Sequence, residues 1–245
     1  MNNTICQFHF NLAKWHIATD HTLSVEDWIT EDLNHWYQGL EKTSPTLNFL
    51  PPLKRRRLSG SARLFIDSVW NLLEDNANIP VVYASTNGEI TRNFELWQSL
   101  LQQGDVSPTS FSLSVHNALV GQWSELRQVK TETTAISVRI DSLEIALLEA
   151  YLLLQEGAKQ VLVVLAESPL SDKYNPQPVY RQPFGYALSF IVEQGNDYRL
   201  SLINTPLTNK INMDNALLWV RNHHLVVDQW QAPSGQGGHW LWERK

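Results

Sequence analysis

The sequence predicts an α/β protein in which helices cover a sheet of mostly buried strands. Short apolar runs of strand length alternate with longer stretches whose apolar residues recur at helical spacing. The run Val161–Leu165 contains no polar residue, as expected of a strand with helices on both faces of its sheet. The chain has 245 residues, of which 43% are hydrophobic, and it includes 10 Trp, so it can bury a sizeable core. Together these observations favour a layered α/β fold.

The first third of the chain contains one extended segment and two capped helices. Residues 5–18 are predicted to be extended. Ser24 is the expected N-cap of the first helix, with Asp27 three residues later, and Ser59 or Ser61 caps the second. The apolar positions of the two helices are Trp28, Leu33 and Trp36 in the first, and Leu64, Phe65, Val69 and Leu72 in the second.

The middle of the chain repeats a strand followed by a helix. Residues 80–84 form a short apolar run of buried-strand type. A helix is predicted over residues 89–103 and ends at Gly104. Its apolar positions are Phe94, Trp97, Leu100 and Leu101. A further helix is predicted over residues 114–126, and a further strand over residues 133–138.

The last predicted elements are a long apolar helix and a pair of strands beyond Val161–Leu165. Residues 142–155 form a helix with a nearly continuous apolar face, which ends at Gly157. The segments 186–192 and 198–203 are predicted to be strands that pair antiparallel across a turn at Gly195-Asn196.

The charge pattern argues against a nucleic-acid-binding protein. The formal net charge is -6, whereas binding to a phosphate backbone is driven by clustered cations. One short basic run, Lys54-Arg55-Arg56-Arg57, has two interpretations. It is either a solvated approach to a helix or a contact for an anionic partner such as a carrier protein.

The sequence predicts neither a membrane span nor a metal site. No window reaches 18 consecutive apolar residues, and positions 7, 9 and 11 are polar where a signal peptide would be apolar, so we expect the protein in the cytoplasm. The one cysteine, Cys6, cannot form an intrachain disulfide or a cysteine cluster for zinc. His223 and His224 are expected to lie in a strand and to point to opposite faces, which argues against a metal site.

A series of short motifs occurs in an order that resembles one known family. The motifs are Pro51-Pro52 with Arg55-Arg56, Val81–Ala84 with Gly88, Ser107-Pro108, Asn117–Gly121, Thr134-Ala135, Gly157 before Val161, and Tyr180–Gly185 before a strand that ends at Glu193. The interval from Gly121 to Ile140 resembles that between a glycine and the cysteine nucleophile of the same family. Over roughly residues 50–193, the chain therefore resembles the N-terminal half of the β-ketoacyl synthases, which have the thiolase fold.

The resemblance implies a complete N-terminal half and a strongly shortened C-terminal half. Residues 1–193 correspond to the N-terminal half, with the thiolase-like core starting at about residue 50, and residues 194–245 correspond to a reduced remnant of the C-terminal half. In this remnant, residues 205–219 resemble the opening strand and helix, and Gly235–Gly238 resembles a late glycine-rich loop.

The same resemblance implies that the chain is not an enzyme by itself. Ile140 stands at the strand-to-helix turn where the family carries the cysteine that accepts the acyl chain. The later histidines, His223, His224 and His239, do not match the motifs of the family's catalytic histidines. We therefore expect no catalytic residue, no cofactor and no metal.

The residues beside Ile140 also have structural interpretations. Arg139 and Asp141 are expected to form a local ion pair, or Asp141 to act as a carboxylate at a helix N-terminus, unless Arg139 reaches into a partner's site. Ser142 is interpreted as a helix N-cap and not as a hydrolase serine, and His116 as an interface histidine and not as a base.

The resemblance further implies a partner. The chain resembles the small, truncated chain-length factors associated with aryl polyene synthesis, which are inactive and form heterodimers with a complete ketosynthase. The strand before Ile140 would then pair with its counterpart in the ketosynthase, and the segment after Ser107-Pro108 would help to close the acyl tunnel. The implied tunnel and interface residues are Thr109, Ser110, Phe111, Ser112, Leu113, Ser114, Asn117, Thr134, Ile136, Val138 and Ile140, and the candidate contacts for the acyl carrier protein are Arg55, Arg56 and Arg57.

Two alternatives to this function remain at the level of sequence. One is a ketosynthase-derived decarboxylase or acyl hydrolase that uses a serine and a late histidine. The other is a scaffold that only stabilises the ketosynthase or presents the carrier protein. Phe111 itself has two interpretations. Its ring is either a steric limit on acyl chain length or an ordinary core aromatic.

Overall fold

A computed structural model describes residues 3–30, 37–75, 77–176, 181–207 and 213–245. Within these ranges the chain forms seven strands and eight helices. The strands are β1 (Thr4–Thr19), β2 (Val81–Ser85), β3 (Thr133–Ser137), β4 (Gln160–Glu167), β5 (Tyr186–Ile203), β6 (Gln229–Pro233) and β7 (His239–Arg244). The helices are α1 (Val25–Ile29), α2 (Pro52–Arg55), α3 (Gly60–Trp70), α4 (Ile90–Gln103), α5 (Pro108–Ser112), α6 (Ala118–Arg127), α7 (Ser142–Gln155) and α8 (Asn215–His224).

All seven strands belong to one mixed sheet in the order β3-β2-β4-β5-β7-β6, with β1 paired along β5. The pairs β2–β3 and β2–β4 are parallel, whereas β4–β5, β1–β5, β5–β7 and β6–β7 are antiparallel. Parallel neighbours require crossover connections, and helices α4 to α7 supply them. In this order β3 and β6 lie at the two ends of the sheet.

Two apolar cores lie on opposite faces of the sheet, which confirms the predicted layered α/β architecture. Along β4, Val161 and Val163 belong to one core, whereas Leu162 and Val164 belong to the other. This alternation is the consequence of the two-residue period of a strand. Helices α7 and α8 cover the first face, and α3 and α6 cover the second.

Local sequence signals place most helix starts correctly. The Ser24 side chain accepts a hydrogen bond from the Asp27 N–H, and the Asp27 side chain accepts one from the Ser24 N–H, so the predicted cap is confirmed. Helix α1 ends at Ile29 because Thr30 has extended geometry with ψ 152°. The rest of the first predicted helix, with Leu33 and Trp36, lies outside the described residues. Of the two candidate caps for α3, Ser59 holds the position.

The helix predicted over residues 114–126 is wrong at its start. Helix α5 begins at Pro108, capped by Ser107, and α6 begins only at Ala118. Between them Ser114 is buried, where its main-chain carbonyl accepts a hydrogen bond of 2.7 Å from Asn93 Nδ2. This contact with α4 holds the turn between α5 and α6. A local sequence pattern cannot reveal the contact, because Asn93 and Ser114 are 21 residues apart.

The antiparallel pair predicted across Gly195-Asn196 is a single strand, β5. Both of its parts pair antiparallel with β1, so they run in the same direction and cannot form a hairpin. The register passes from Phe10 opposite Tyr198 to Asn11 opposite Glu193, so residues 194–197 form a bulge. The Asn11 side chain accepts a hydrogen bond of 2.9 Å from the Asp197 N–H and occupies the space above Gly195.

One further prediction is corrected, and the helix predicted over residues 89–103 is confirmed. His223 and His224 lie in the last turn of α8 and not in a strand. Helix α4 has the predicted helical period, yet it buries none of its residues, and Trp97 and Leu101 are among its exposed side chains. No helix of the described segments combines the length and hydropathy needed to cross a bilayer.

Candidate functional site

The candidate site is the turn between β3 and α7, residues 138–141, which we call the elbow. The Thr86 hydroxyl donates to the Val138 carbonyl over 2.9 Å, and the Val138 N–H donates to the Ser85 carbonyl over 3.4 Å. These bonds hold the elbow beside the carboxyl end of β2, the edge at which open α/β sheets carry their ligands. The Ile140 side chain at the elbow is 38% exposed.

Two buried carboxylates occupy the N-terminus of α7. Asp141 Oδ2 accepts hydrogen bonds from Trp240 Nε1 at 2.9 Å and from Ser234 Oγ at 3.0 Å. Glu144 accepts from Trp242 Nε1 and from Asn215 Nδ2, each at 2.9 Å. All donors come from α8 and from the β6–β7 hairpin, which closes over the elbow although it lies about a hundred residues further along the chain.

The electrostatics of this pair follow from its burial. Burial raises the pKa of Glu144 to about 7, against the opposing effect of hydrogen bonds from Asn215 and Trp242, and the nearby charge of Asp141 acts in the same direction as burial. Both carboxylates lie where the helix dipole favours negative charge. The anion-stabilising end of α7 therefore already holds two carboxyl groups of the chain itself.

The glycine-rich loop at residues 235–238 is the turn that brings the hairpin to the elbow. A side chain at Gly235 would lie 3.1 Å from Asp141 Oδ1, and one at Gly238 would overlap the main-chain carbonyl of Ile203. Glycine at these positions allows the hairpin to approach β5 and α7 closely. The loop leads into β7 and not into a helix.

Two interpretations of the elbow residues are corrected, the Arg139–Asp141 ion pair and the N-cap at Ser142, whereas the alternative of an Asp141 carboxylate at the helix N-terminus is confirmed. Asp141 is held by Trp240 and Ser234 and not by Arg139, whose side chain is exposed. Asp141 occupies the N-cap position of α7, without a side-chain capping bond, so Ser142 is the first helical residue and not the cap. The Ser142 hydroxyl donates to the Val138 carbonyl over 3.0 Å.

A second acidic pair lies at the ends of β4 and α8, where Glu167 is buried and Asp214 is half-buried. Glu167 accepts hydrogen bonds from the main-chain N–H groups of Thr86 and Asn87, and burial raises its pKa to about 7. Asp214 caps α8 and accepts from Tyr186 Oη at 2.8 Å, while burial raises its pKa as well. Neither this pair nor Glu144 was predicted, because single acids inside apolar patterns carry no signal of their burial.

The predicted interface residues divide between an open strand edge and a short helix. Among the described strands β3 pairs with β2 alone, and Thr134, Ile136 and Val138 are half-buried along it. On α5 the Phe111 side chain is 61% exposed, which excludes the interpretation as a core aromatic. Ser114 faces its own chain, where its hydroxyl donates to the Phe111 carbonyl over 2.8 Å.

The remaining members of the predicted interface set lie on α5 or in the turn between α5 and α6. Thr109 and Ser112 are exposed on α5, Ser110 and Leu113 are half-buried, and Asn117 is exposed before α6. His116 stacks on Tyr83 with ring centroids 5.2 Å apart, and its Nε2 lies 3.0 Å from the Ile136 carbonyl. This arrangement supports a structural role for His116 under β3.

The basic run lies next to α5. Arg55 Nη1 donates to Asn48 Oδ1 over 2.9 Å, whereas Arg56 and Arg57 are exposed. A cavity of about 250 Å³ separates the run from α5. Its lining includes Lys54, Arg57, Leu58, Thr109, Ser112 and Leu113. One candidate carrier-protein contact, Arg57, and part of the candidate tunnel segment therefore border the same cavity.

The late histidines are engaged elsewhere. His223 stacks on Trp219 and meets the edge of Trp15, and burial lowers the pKa of His223 and of His224. His239 Nδ1 lies 2.7 Å from the Thr205 carbonyl, on the face of β7 opposite Trp240. Within the described ranges, no group of three or more His, Cys, Asp or Glu side chains could hold a metal ion.

A mixed sheet covered by helices on both faces, with a strand-to-helix elbow beside an end strand, defines a thiolase-like α/β protein. The chain belongs to the β-ketoacyl synthase family. The family model described as the β-ketoacyl synthase N-terminal domain matches residues 28–243. By sequence, no curated protein matches the chain.

Solved structures give the same fold. A structure of the ketosynthase ApeO in complex with its chain length factor ApeC, from Xenorhabdus doucetiae, is similar with a TM-score of 0.80 and 26% identity, covering 97% of this chain and 100% of that one. A type II polyketide acyl-carrier protein in complex with its ketosynthase gives a TM-score of 0.65 at 12% identity, covering 98% and 100%. The ishigamide ketosynthase/chain length factor gives 0.58 at 13%, covering 79% and 66%. The last two similarities concern the fold alone.

Proposed function

We propose that this chain is a non-catalytic chain-length factor that forms a heterodimer with an active β-ketoacyl synthase and shapes the acyl tunnel of the complex. The observation that carries the proposal is the open edge of β3 directly beside an elbow that holds Ile140. The similarity to a ketosynthase and chain length factor complex supports the assignment to polyketide or aryl polyene synthesis. Such a subunit needs no cofactor, works with the acyl carrier protein of the complex and is expected in the cytoplasm.

The hydrogen bonds at the two ends of β3 define its free edge. The Val81 N–H donates to the Glu132 carbonyl, and the Val138 N–H donates to the Ser85 carbonyl. Because bonding alternates along a parallel ladder, the main-chain groups of residues 134 and 136 face β2, and those of Ala135 face away. A strand edge of this kind pairs readily with a strand of another chain.

Ala135→Pro tests this mode of pairing. The substitution removes an N–H that points away from β2, so we expect the chain to keep its fold and to lose the ketosynthase. Co-expression followed by size-exclusion chromatography measures the complex, and circular dichroism measures the fold.

Gln231→Pro is the matched control at the other end of the sheet. The Arg244 N–H donates to the Asp228 carbonyl, so the alternation along β6 directs the Gln231 N–H away from β7. We expect this variant to retain the ketosynthase. A complex that survives Ala135→Pro with unchanged affinity would refute pairing through β3.

Phe111→Ala tests the control of chain length. The exposed ring of Phe111 is free to project into a tunnel formed with the partner, where its bulk would stop a stiff polyene by steric overlap. We expect the reconstituted pair to make longer products, measured by mass spectrometry. Phe111→Tyr keeps the ring and should leave the length distribution unchanged. An intact heterodimer with the same products from both variants would contradict this role.

The two alternatives gain no specific support from the geometry. For a hydrolase, the Ser142 hydroxyl donates to Val138, and His239 faces Thr205, so neither is poised against the other. For a pure scaffold, Arg56 and Arg57 are available to an acidic carrier protein. Charge reversal at these two residues would slow turnover in that case, while Phe111→Ala would leave product length unchanged.

A further inference from the structure

The elbow differs from a reactive site in its electrostatics as well as in its side chain. A helix N-terminus lowers the pKa of a nearby thiol and stabilises an oxyanion because its N–H groups carry partial positive charge. In this chain the fourteen-residue helix α7 begins at a buried Asp141 and carries a buried Glu144 in its first turn. Carboxylates one and four residues after position 140 oppose the formation of a second anion there.

The hydrogen bonds keep both carboxylates in place. Trp240 and Ser234 bind Asp141, and Trp242 and Asn215 bind Glu144, so neither side chain can turn away without leaving a buried indole N–H unpaired. The Glu144 carboxylate also accepts a hydrogen bond from its own main-chain N–H, one of the groups that would otherwise be free at the helix start.

We propose that Asp141 and Glu144, held by the β6–β7 hairpin, fill the anion-stabilising site of the elbow, so that a thiol placed at position 140 remains an ordinary, weakly reactive thiol. The inference rests on the proposed function, which assigns the nucleophile position to Ile140. It adds that a single substitution does not restore a ketosynthase-like nucleophile, because the site around it has been occupied by the chain itself.

Other charged groups near the elbow do not replace the missing positive field. Arg139 is exposed to solvent, where screening weakens its effect. His116 lies beneath β3 with its Nε2 directed at the Ile136 carbonyl. The hairpin side chains that bond the two carboxyl groups, those of Ser234, Trp240 and Trp242, are uncharged.

The test is a thiol titration of Ile140→Cys in a Cys6→Ser background, which leaves one cysteine in the full chain. The rate of alkylation by iodoacetamide between pH 5 and pH 10 reports the fraction of thiolate. We expect a pKa at or above the ordinary value of about 8.5. Adding Glu144→Gln or Asp141→Asn should lower it by about one unit, which is a tenfold gain in thiolate near neutral pH.

The control is Leu152→Cys in the same background, an exposed position in the C-terminal half of α7. Its thiol should not respond to Glu144→Gln. A pKa of about 7 or lower in Ile140→Cys alone would overturn the inference, as would an unchanged pKa after removal of both carboxylates. If Asp141→Asn fails to fold, the thiol pKa values of Ile140→Cys alone and of Ile140→Cys with Glu144→Gln still test the inference. Because the titration needs no ketosynthase, its outcome is independent of heterodimer formation.

Discussion

Glu144 shows how one residue couples the stability of this chain to pH. It is fully buried, and a buried carboxylate persists only where hydrogen bonds offset the loss of hydration. Trp242 and Asn215 supply those bonds, and the indole N–H of Trp242 finds its own partner in the same contact. The pKa of Glu144 remains at about 7, well above that of an unfolded chain, because burial favours the protonated carboxyl group more than these hydrogen bonds favour the carboxylate.

Glu144→Gln should change the pH dependence of stability. Because the folded chain binds the proton more tightly than the unfolded chain, the contribution of Glu144 is fully present below about pH 4.5 and is lost as pH rises to about 7. The loss is on the order of 3 kcal/mol. A glutamine cannot ionise, so we expect the variant to gain stability relative to wild type between pH 5 and pH 8, measured by urea unfolding.

Glu156→Gln is the matched control for the loss of a carboxylate, because Glu156 is exposed at the other end of α7. Comparing the two variants separates the effect of the buried position from that of net charge. A difference between Glu144→Gln and wild type that stays constant from pH 5 to pH 8 would contradict the assignment.

The bulge in β5 shows how a longer element depends on its neighbour. Residues 194–197 have no partner on β1, and Asn11 of β1 fills the space above Gly195 while bonding the Asp197 N–H. The bulge lets one strand pair with β4 along its first part and with β7 along its second. Its continuity is therefore a property of three strands, which a turn signal in one segment cannot reveal.

The Asn11 and Gly195 pair should be energetically coupled. In Gly195→Ala the new methyl group would overlap the Asn11 amide, so we expect a loss of roughly 1 to 3 kcal/mol in the free energy of unfolding. Asn11→Ala loses a hydrogen bond and costs about 1 kcal/mol. The double variant should be more stable than the sum of the two changes, because the overlap is gone.

Gly121→Ala is the control for this cycle, since a methyl group there meets no atom within 4 Å. In the interior of α6 the exchange should raise stability by up to about 1 kcal/mol. Strict additivity in the Asn11 and Gly195 cycle, measured by chemical denaturation, would show that the two residues do not share the space above the bulge.

At the scale of the whole molecule, local rules predicted the fold and tertiary contacts determined the site. Caps such as Ser24 and Ser59, and apolar periods such as that of α7, depend on residues within one or two turns, so the sequence reveals them. The position of Ile140 at a strand-to-helix turn was predicted in the same way. The closure of the elbow by Trp240 and Trp242 was not predicted, because these two residues are separated by 99 and 98 positions along the chain from the acids that they bind.

The two sequence regions on either side of residue 193 share one core in the structure. Strand β5 runs from Tyr186 to Ile203 across this point, and Phe8, Leu143 and Trp242 belong to the same buried cluster. A chain that ends at residue 193 would lose β6, β7 and α8, and would leave the Asp141 and Glu144 carboxylates without their donors. Buried charges without partners are among the strongest destabilising changes known in proteins.

We therefore expect the truncated chain 1–193 to show no cooperative thermal transition by circular dichroism, whereas the full chain unfolds in one transition. Trp240→Phe is the milder companion variant, since it keeps an aromatic ring and removes the indole N–H that binds Asp141 together with part of the buried ring. It should lower the free energy of unfolding by about 1 to 3 kcal/mol without changing the secondary structure. A sigmoidal melting curve for chain 1–193 would establish instead that residues 1–193 fold independently, with the remainder as an appended unit.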